Sequence, residues 1–188
     1  MKLNVIIAST RPNRIGPFVA NWFHRFAVEH GAFEPELVDL ATFDLPIFDE
    51  PAHPALGNYA HAHTKRWSES VKSADSLVFV MPEYNFGPPP SLLNALNFVY
   101  REWNFAPAGF VSYGGLSGGT RAVQAVKSTI SALKMVPIPE GVAIPMVPAQ
   151  IVDSAFKAND LNATSARTML DQLKMWAGAL QQLRTTAR

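Results

Sequence analysis

Cysteine is absent from the 188 residues of this chain. The absence excludes disulfide bonds, thiolate nucleophiles, CxxC redox pairs and cysteine-ligated metal or iron–sulfur centres. Any redox chemistry must therefore come from a bound organic cofactor. We assign no metal site either, because His61 and His63 lie in a polar stretch without an established third ligand.

An excess of charge of one sign is also missing. Sixteen Lys and Arg residues stand against fifteen Asp and Glu residues. This balance, without a run of like charges, argues against binding to nucleic acid or to a membrane surface, so small molecules or further copies of the chain are the expected partners. No apolar run approaches the roughly 20 residues that cross a bilayer, and the amino terminus resembles a buried strand rather than a signal peptide. We therefore expect a cytoplasmic protein.

Apolar residues recur with alternating strand and helix spacing along the whole chain. The predicted strands cover residues 3–9, 33–40, 76–81 and 106–113, with a fifth strand inside 136–145. The predicted helices cover residues 16–30, 63–74, 88–100, 119–134 and 163–183. This alternation favours a parallel sheet that is covered by helices on both faces.

Five such strands favour a flavodoxin-like α/β three-layer sandwich with the strand order 2-1-3-4-5. The length and the 48% content of hydrophobic residues favour one domain over residues 1–188. In an open parallel sheet, ligands bind beyond the carboxyl ends of the strands, where the strand order reverses. Three loops are expected at that edge, and they span residues 9–16, 82–87 and 112–119.

The first loop carries the chemistry of an anion site. Ser9 and Thr10 supply hydroxyl groups, Arg11 and Arg14 supply guanidinium groups, and a helix follows directly. Parallel charge-assisted hydrogen bonds and the positive end of a helix dipole suit a dianionic phosphate. The loop matches neither GxGxxG nor GxxxxGK[ST], so an exposed turn with two solvated arginines stays open at this point.

The other two loops offer backbone rather than charge. Residues 82–87 join a buried strand to a proline-opened helix, so their amide groups can face a flat, hydrogen-bonding heterocycle. The glycines of residues 112–119 allow backbone to approach a ring edge, although a tight turn explains them equally well. Glu83 has no partner carboxylate or histidine nearby in sequence, so a structural or intersubunit role is expected before acid catalysis.

Taken together, the three segments resemble the NADPH-dependent FMN reductase family over most of the chain. The specific part is Pro82-Glu83-Tyr84-Asn85 before a proline-led helix, in register with the SYGGLSGG segment at residues 112–119. The resemblance implies a flavodoxin-like fold with bound FMN, and NADPH or NADH as electron donor. Two positions depart from the family pattern: Ala8 replaces a frequent glycine, and Phe86 places a bulky aromatic side chain where residue type varies.

The resemblance also implies which residues surround FMN. Its phosphate is expected among the residues of the first loop, namely Ser9, Arg11, Arg14, Ile15 and Gly16, with the Thr10 hydroxyl beside them. Its isoalloxazine ring is expected to be bordered by Pro82, Glu83, Tyr84 and Asn85, and closed on the other side by Ser112, Tyr113, Gly114 and Gly115. No catalytic side chain is carried over.

The family mechanism is ping-pong: NADPH or NADH stacks on the flavin, gives a hydride to N5 and leaves, and an acceptor then takes the electrons. The acceptor stays open among free flavins, quinones, azo dyes and related compounds. The leading alternative is a flavodoxin-type electron carrier without a nicotinamide site, but the near-neutral charge and the arginine-bearing loop favour the enzyme. A nucleotide-responsive regulatory protein on the same fold is a third, weaker possibility.

A homodimer or higher homo-oligomer is the expected assembly, since the family is typically dimeric or higher. The helix predicted at residues 88–100 carries apolar residues nearly all round, which is more than one sheet contact requires. We therefore predict a homodimer that uses this helix. The residues concerned are Leu92, Leu93, Leu96, Phe98 and Val99.

Overall fold

The computed structural model describes residues 1–187. Five parallel strands form one sheet in the order β2-β1-β3-β4-β5, which confirms the predicted order and the flavodoxin-like fold. The strands are β1 (Lys2–Ile7), β2 (Glu34–Asp39), β3 (Ser76–Pro82), β4 (Pro107–Tyr113) and β5 (Val136–Ile144). The main helices are α1 (Gly16–His30), α2 (Ala62–Ser73), α3 (Pro90–Phe98), α4 (Thr120–Ala132) and α5 (Asp160–Ala187).

The sequence of each strand reflects its place in the sheet. The central strands β1, β3 and β4 are almost wholly buried and consist of nearly continuous apolar runs. The edge strands β2 and β5 are partly exposed. They carry Pro35, Pro137 and Pro139, which an edge tolerates because one side of the strand needs no hydrogen-bonded neighbour.

Helices cover both faces of the sheet. One face packs against α1 and α5, through apolar side chains that include Val19, Phe23, Met169 and Leu173. The opposite face packs against α2, α3 and α4, where Trp67, Leu96 and Val126 are fully buried. The sheet therefore has a core on each side, and the edge at the strand ends is left for the loops.

The helix α3 does not have the spare apolar surface that the sequence suggested. Leu92, Leu96, Phe98 and Val99 are at most 1% exposed, and Leu93 alone of the five apolar residues reaches 36%. The reason is that α3 contacts α4 and the segment that follows β2, and its apolar side chains share a core with those of the sheet. The argument for a dimer from these residues is therefore wrong, and the homodimer itself stays a prediction.

The carboxyl end of α5 departs from simple amphipathicity. Its apolar spacing predicted the helix, but Trp176 and Leu183 are 38% and 50% exposed. Arg184 is buried instead, and its guanidinium donates hydrogen bonds to the carbonyl oxygens of Ala74 and Asn104. A buried arginine is tolerated here because main-chain acceptors surround it.

The long segment between β2 and α2 is held by side chains rather than by regular structure. Asn94 of α3 accepts a hydrogen bond from the Phe48 N–H at 3.0 Å, and the Glu50 carboxylate accepts from the N–H groups of Ala60 and His61 at 2.7 and 3.1 Å. Glu50 is 8% exposed. These contacts fix the approach of the chain to the N-terminus of α2.

A small hairpin was not predicted from the sequence. It pairs β6 (Ile151–Val152) with β7 (Ala155–Phe156) in antiparallel fashion. The Phe156 ring packs edge-on against Trp22 of α1, with 5.1 Å between the ring centroids. Within residues 1–187, no helix combines the length and the apolar content that a membrane-spanning segment requires.

Candidate functional site

The three predicted loops meet at the carboxyl ends of β1, β3 and β4. Register explains the meeting, because Pro82 pairs with Tyr113 across β3 and β4, and Ile7 pairs with Val80 across β1 and β3. The loops enclose a cavity of about 250 Å³. Its lining residues are Arg11, Arg14, Ile15, Pro82, Tyr84, Tyr113, Gly114, Gly115, Met146, Val147 and Pro148.

The other predicted residues lie around this cavity rather than in its wall. Ser9 and Ser112 are buried behind it. Thr10 lines a second cavity, of about 600 Å³, between the segment that follows β2 and α3. Gly16 begins α1, and Glu83 and Asn85 belong to the second loop.

The backbone of the first loop is free to bind an anion. None of the N–H groups of residues 9–16 donates a hydrogen bond to another group within residues 1–187. The first turn of α1 also lacks a side-chain cap among these residues. Such a row of unpaired donors at the positive end of a helix is the arrangement that binds phosphate groups.

The two arginines of this loop have different surroundings. The Arg14 guanidinium donates to the Ser9 carbonyl oxygen and pairs with the Asp39 carboxylate at the end of β2. Arg11 is exposed and has no hydrogen bond or ion pair with any described residue. Arg14 therefore shapes the loop with its charge already balanced, whereas the charge of Arg11 is available to a ligand.

Gly16 is required by close packing at the start of α1. A Cβ atom there would lie 2.6 Å from the Ser9 hydroxyl oxygen and 2.7 Å from the Tyr113 hydroxyl oxygen. These two oxygens are 3.3 Å apart. The pKa of Tyr113 is raised to about 12, because the effect of burial exceeds the opposing effects of the Ser9 hydroxyl and the charges of the loop arginines. The phenol is therefore protonated at neutral pH and can donate a hydrogen bond.

The second loop contains a two-residue turn. Tyr84 and Gly87 exchange two backbone hydrogen bonds, each of 2.9 Å. Between them, Asn85 and Phe86 both adopt left-handed conformations, with φ of 49° and 68°. Neither of their N–H groups donates a hydrogen bond in the part of the chain that the structure describes, so both are free for a ligand.

Glu83 joins the second loop to the third. Its carboxylate accepts a hydrogen bond from the Ser117 hydroxyl at 2.7 Å and pairs with Nε of Arg121 at 3.0 Å. The side chain is 8% exposed. Both oxygens are thus engaged within the protein, which agrees with the structural role expected for Glu83.

The third loop is folded tightly onto itself. The Ser112 hydroxyl donates to the Gly118 carbonyl oxygen at 2.8 Å. Gly119 has φ of 85°, and a Cβ atom there would lie 2.8 Å from the Tyr113 nitrogen. A Cβ atom on Gly115 would meet nothing within 4 Å, so this glycine borders open space in the cavity wall.

One part of the cavity wall was not predicted from the sequence. It consists of Met146, Val147 and Pro148. The N–H groups of Met146 and Val147 donate to the carbonyl oxygens of Gly115 and Gly114, at 2.9 and 3.2 Å. No motif marks this segment, since it reaches the cavity only because β5 lies next to β4. The predicted position of the fifth strand was the one signal that could have located it.

The histidine pair lies outside the cavity. The rings of His61 and His63 stack with centroids 5.2 Å apart, and His63 Nε2 lies 3.0 Å from a carboxylate oxygen of Asp49. Across residues 1–187, His, Asp and Glu side chains form no group of three or more that could hold a metal ion. His63 also contacts the Phe98 ring edge-on, so the pair packs the segment after β2 against α3.

A doubly wound parallel sheet with unpaired N–H donors beside a cavity at the carboxyl ends of its strands is typical of mononucleotide-binding α/β proteins. Residues 1–149 match the family described as NADPH-dependent FMN reductase, and the chain belongs to that family. It is therefore an NAD(P)H-dependent oxidoreductase with FMN as cofactor, as the sequence resemblance implied.

Individual relatives agree with this assignment. The chain is 37% identical over 184 residues to an NAD(P)H-dependent FMN reductase of Schizosaccharomyces pombe, which covers 97% of this chain and 90% of the relative. It is 32% identical over 184 residues to an NAD(P)H-dependent FMN reductase of a Nectria species, with 95% and 88% covered. A quinone reductase of Pseudomonas putida is 28% identical over 139 residues, with 71% and 73% covered.

Solved structures show the same fold at low sequence identity. The flavoenzyme FerB of Paracoccus denitrificans, an NAD(P)H:(acceptor) oxidoreductase, superposes with a TM-score of 0.74 at 19% identity, over 95% of this chain and 97% of FerB. The apo form of the NADH:FMN oxidoreductase EMOB gives 0.70 at 14% identity, over 93% and 88%. At these identities the likeness concerns the fold alone.

The residues of the site fit FMN. Unpaired N–H groups in residues 9–16 and the uncommitted charge of Arg11 match a phosphate monoester. The free N–H groups of Asn85 and Phe86, together with the open side of Gly115, match the polar edge of a planar ring. The described residues that line the cavity include no carboxylate and no imidazole.

Proposed function

We propose that this enzyme reduces free flavins, quinones, azo compounds or related acceptors with electrons from NADPH or NADH, in a ping-pong sequence. Bound FMN would supply the redox chemistry, namely hydride uptake from the nicotinamide and electron transfer to the acceptor. The observation that carries the proposal is the placement of unpaired N–H donors in residues 9–16 next to the cavity that the three loops enclose.

The residues of the chain have separate tasks in this proposal. Arg11 and the N–H groups of residues 9–16 bind the phosphate, while Arg14 keeps that loop in shape through Asp39. The remaining predicted residues border the ring, namely Pro82, Glu83, Tyr84, Asn85, Ser112, Tyr113, Gly114 and Gly115. Tyr113 stays protonated, and its buried ring closes the floor of the cavity.

A reductase is favoured over an electron carrier. Flavodoxin-type carriers generally have an acidic surface, whereas this chain has a formal net charge of +1 and an arginine-bearing phosphate loop. Relatives named FMN reductase and quinone reductase support the choice of small acceptors. A ping-pong sequence is expected if the bound ring leaves one face open, because donor and acceptor must then occupy the same place in turn.

The experiment uses the purified protein and its visible spectrum. Anaerobic addition of NADPH or NADH should bleach the flavin absorbance, and double-reciprocal plots at several acceptor concentrations should be parallel. A yellow protein that neither nucleotide reduces would instead be an electron carrier. A colourless protein that takes up no FMN would contradict both readings.

We also propose that the protein is a homodimer in the cytoplasm and that residues 1–188 form one domain. Exposed apolar side chains beside α3 support a contact face, since Ile47 and Phe48 are 90% and 38% exposed and Phe48 is held to Asn94. Light scattering at working concentration tests the dimer, and a monomer there would count against it.

A further inference from the structure

Phe86 has an unfavourable backbone conformation that its own packing does not explain. Its φ of 68° lies in the left-handed region, which bulky side chains seldom adopt. Its side chain is 64% exposed, so burial of the ring does not compensate for the conformation. Strain of this kind persists where the surroundings over-determine the backbone, and it concentrates at functional sites.

Two kinds of contact hold Phe86: the two backbone hydrogen bonds between Tyr84 and Gly87 that close the turn, and one cation over its ring. The Arg121 guanidinium lies over the Phe86 ring, 3.9 Å from the ring centroid, and its Nε pairs with Glu83 at 3.0 Å. The turn is thus held at both ends, by the ion pair at residue 83 and by the stacked guanidinium at residue 86. Ser117 engages the second oxygen of Glu83 and fixes the carboxylate from the third loop.

The same turn carries the free N–H groups of Asn85 and Phe86, beside the cavity wall that Pro82 and Tyr84 form. Any rotation of the turn would redirect both donors. A planar guanidinium can stack on a ring and donate to a carboxylate at the same time, whereas an ammonium group cannot do both with defined geometry.

We propose that Arg121 is a positioning residue for the flavin ring: through Phe86 and Glu83 it holds the residue 84–87 turn so that two backbone N–H groups stay presented to the ring. The inference rests on the proposed function and adds to it a residue of α4 that no motif marks. Arg121 acts through the turn and touches neither the phosphate nor the acceptor.

The test compares FMN with riboflavin, which has the same ring but no phosphate. Dissociation constants for both are measured with flavin-free protein by quenching of flavin fluorescence. Arg121→Met should raise the dissociation constants of both flavins by the same factor, about 5- to 10-fold, because the lost contacts are those to the ring, which both flavins share. Arg121→Lys should also weaken both, since it keeps the charge and loses the stacking.

A double-variant cycle separates positioning from general loss of stability. In a Phe86→Gly background the turn no longer needs the stacked guanidinium, so Arg121→Met should have a smaller effect there than in the wild type. Arg25→Met, on the exposed face of α1, is the matched control and should leave both dissociation constants unchanged. Amide signals of residues 85 and 86 in ¹⁵N-labelled flavin-free protein should shift in Arg121→Met and stay in place in the control.

Several results would overturn the inference. Unchanged binding of both flavins by Arg121→Met would show that the turn holds itself. A loss for FMN with riboflavin unaffected would place Arg121 at the phosphate, and equal losses with and without Phe86 would show that the stacking is irrelevant. A wild-type protein that binds neither flavin would defeat the proposed function itself, which is a separate failure.

Discussion

The first and third loops border the same cavity, but they differ in whether their backbone groups form hydrogen bonds within the protein. Residues 9–16 leave their N–H groups unpaired within the described chain, and Arg11 stands free at the surface. Residues 112–119 bind to themselves and to their neighbours, through Ser112, Gly118 and the N–H groups of Met146 and Val147.

The contrast fits the two ends of FMN as we propose that these loops bind it. A phosphate is a concentrated charge that needs donors not already used by the protein. A planar ring needs stiff walls, and a loop that satisfies its own hydrogen bonds supplies them. Substitutions that disturb the internal packing of the third loop should therefore act mainly on stability, and those that remove a phosphate contact from the first loop mainly on FMN affinity.

The largest effect is expected in the third loop. Gly119→Ala places a Cβ atom 2.8 Å from Ser112 Cβ and from the Tyr113 nitrogen, at a φ of 85°. We expect the free energy of unfolding to fall by about 3 kcal/mol, measured by urea denaturation. The matched change Gly115→Ala meets nothing within 4 Å and should leave stability unchanged while weakening FMN. Equal destabilisation by both would show that the close approach at Gly119 is not the cause.

The next effect belongs to the first loop. Arg11→Ala should weaken FMN binding by about 1.5–3 kcal/mol, because one charge-assisted contact to the phosphate is lost. Riboflavin binding and unfolding free energy should not change. Arg14→Ala, in contrast, should lower the free energy of unfolding in addition to weakening FMN binding, because Arg14 pairs with Asp39. If both variants behaved alike, the separate roles of the two arginines would be wrong.

Glu50 lies away from the cavity, so a substitution there should affect stability alone. Burial by itself would raise the pKa of Glu50, but the neighbouring Thr64 hydroxyl, the Ala60 and His61 N–H groups and the His61 charge together lower it. A lowered folded-state pKa stabilises the protein above the ordinary carboxyl pKa, and this contribution disappears as pH falls through the folded-state value.

Glu50→Gln should therefore cost about 1–2 kcal/mol of unfolding free energy at pH 7, and the difference from wild type should shrink on acidification. Urea denaturation at a series of pH values measures it. FMN affinity should not move. Glu69→Gln, at an exposed position of α2, is the control and should be neutral across the series.

The smallest effect is expected at the floor of the cavity. Tyr113→Phe removes a hydroxyl contact of 3.3 Å and keeps the ring, so we expect a loss of about 0.5 kcal/mol at neutral pH. The pKa of Tyr113 is raised to about 12, so its stabilising contribution is complete below the ordinary tyrosine pKa and is lost as pH rises through 12. The Phe variant should lack that part of the alkaline destabilisation, as thermal unfolding at high pH can show.

Local pattern was enough to predict the scaffold. The apolar runs of β1, β3 and β4 and the helical spacing around them predicted a parallel sheet, because burial on both faces demands such runs. The presence of five strands then favoured the flavodoxin-like order, which the structure has. Once the order was known, the edge at which residues 9–16, 82–87 and 112–119 meet followed from the parallel direction of the strands. The family resemblance added FMN to that edge.

Tertiary structure decided how each side chain is used. Arg11 and Arg14 look equivalent in sequence, and they differ because Asp39, at the end of a neighbouring strand, reaches only one of them. Met146 lies in the cavity wall because β5 is next to β4 in the sheet. Arg121 of α4 contacts Phe86 of the second loop, although the two are far apart in sequence. Periodicity is a property of neighbouring residues in one chain segment, whereas charge pairing and close approach depend on distances between segments, which only the packed sheet sets.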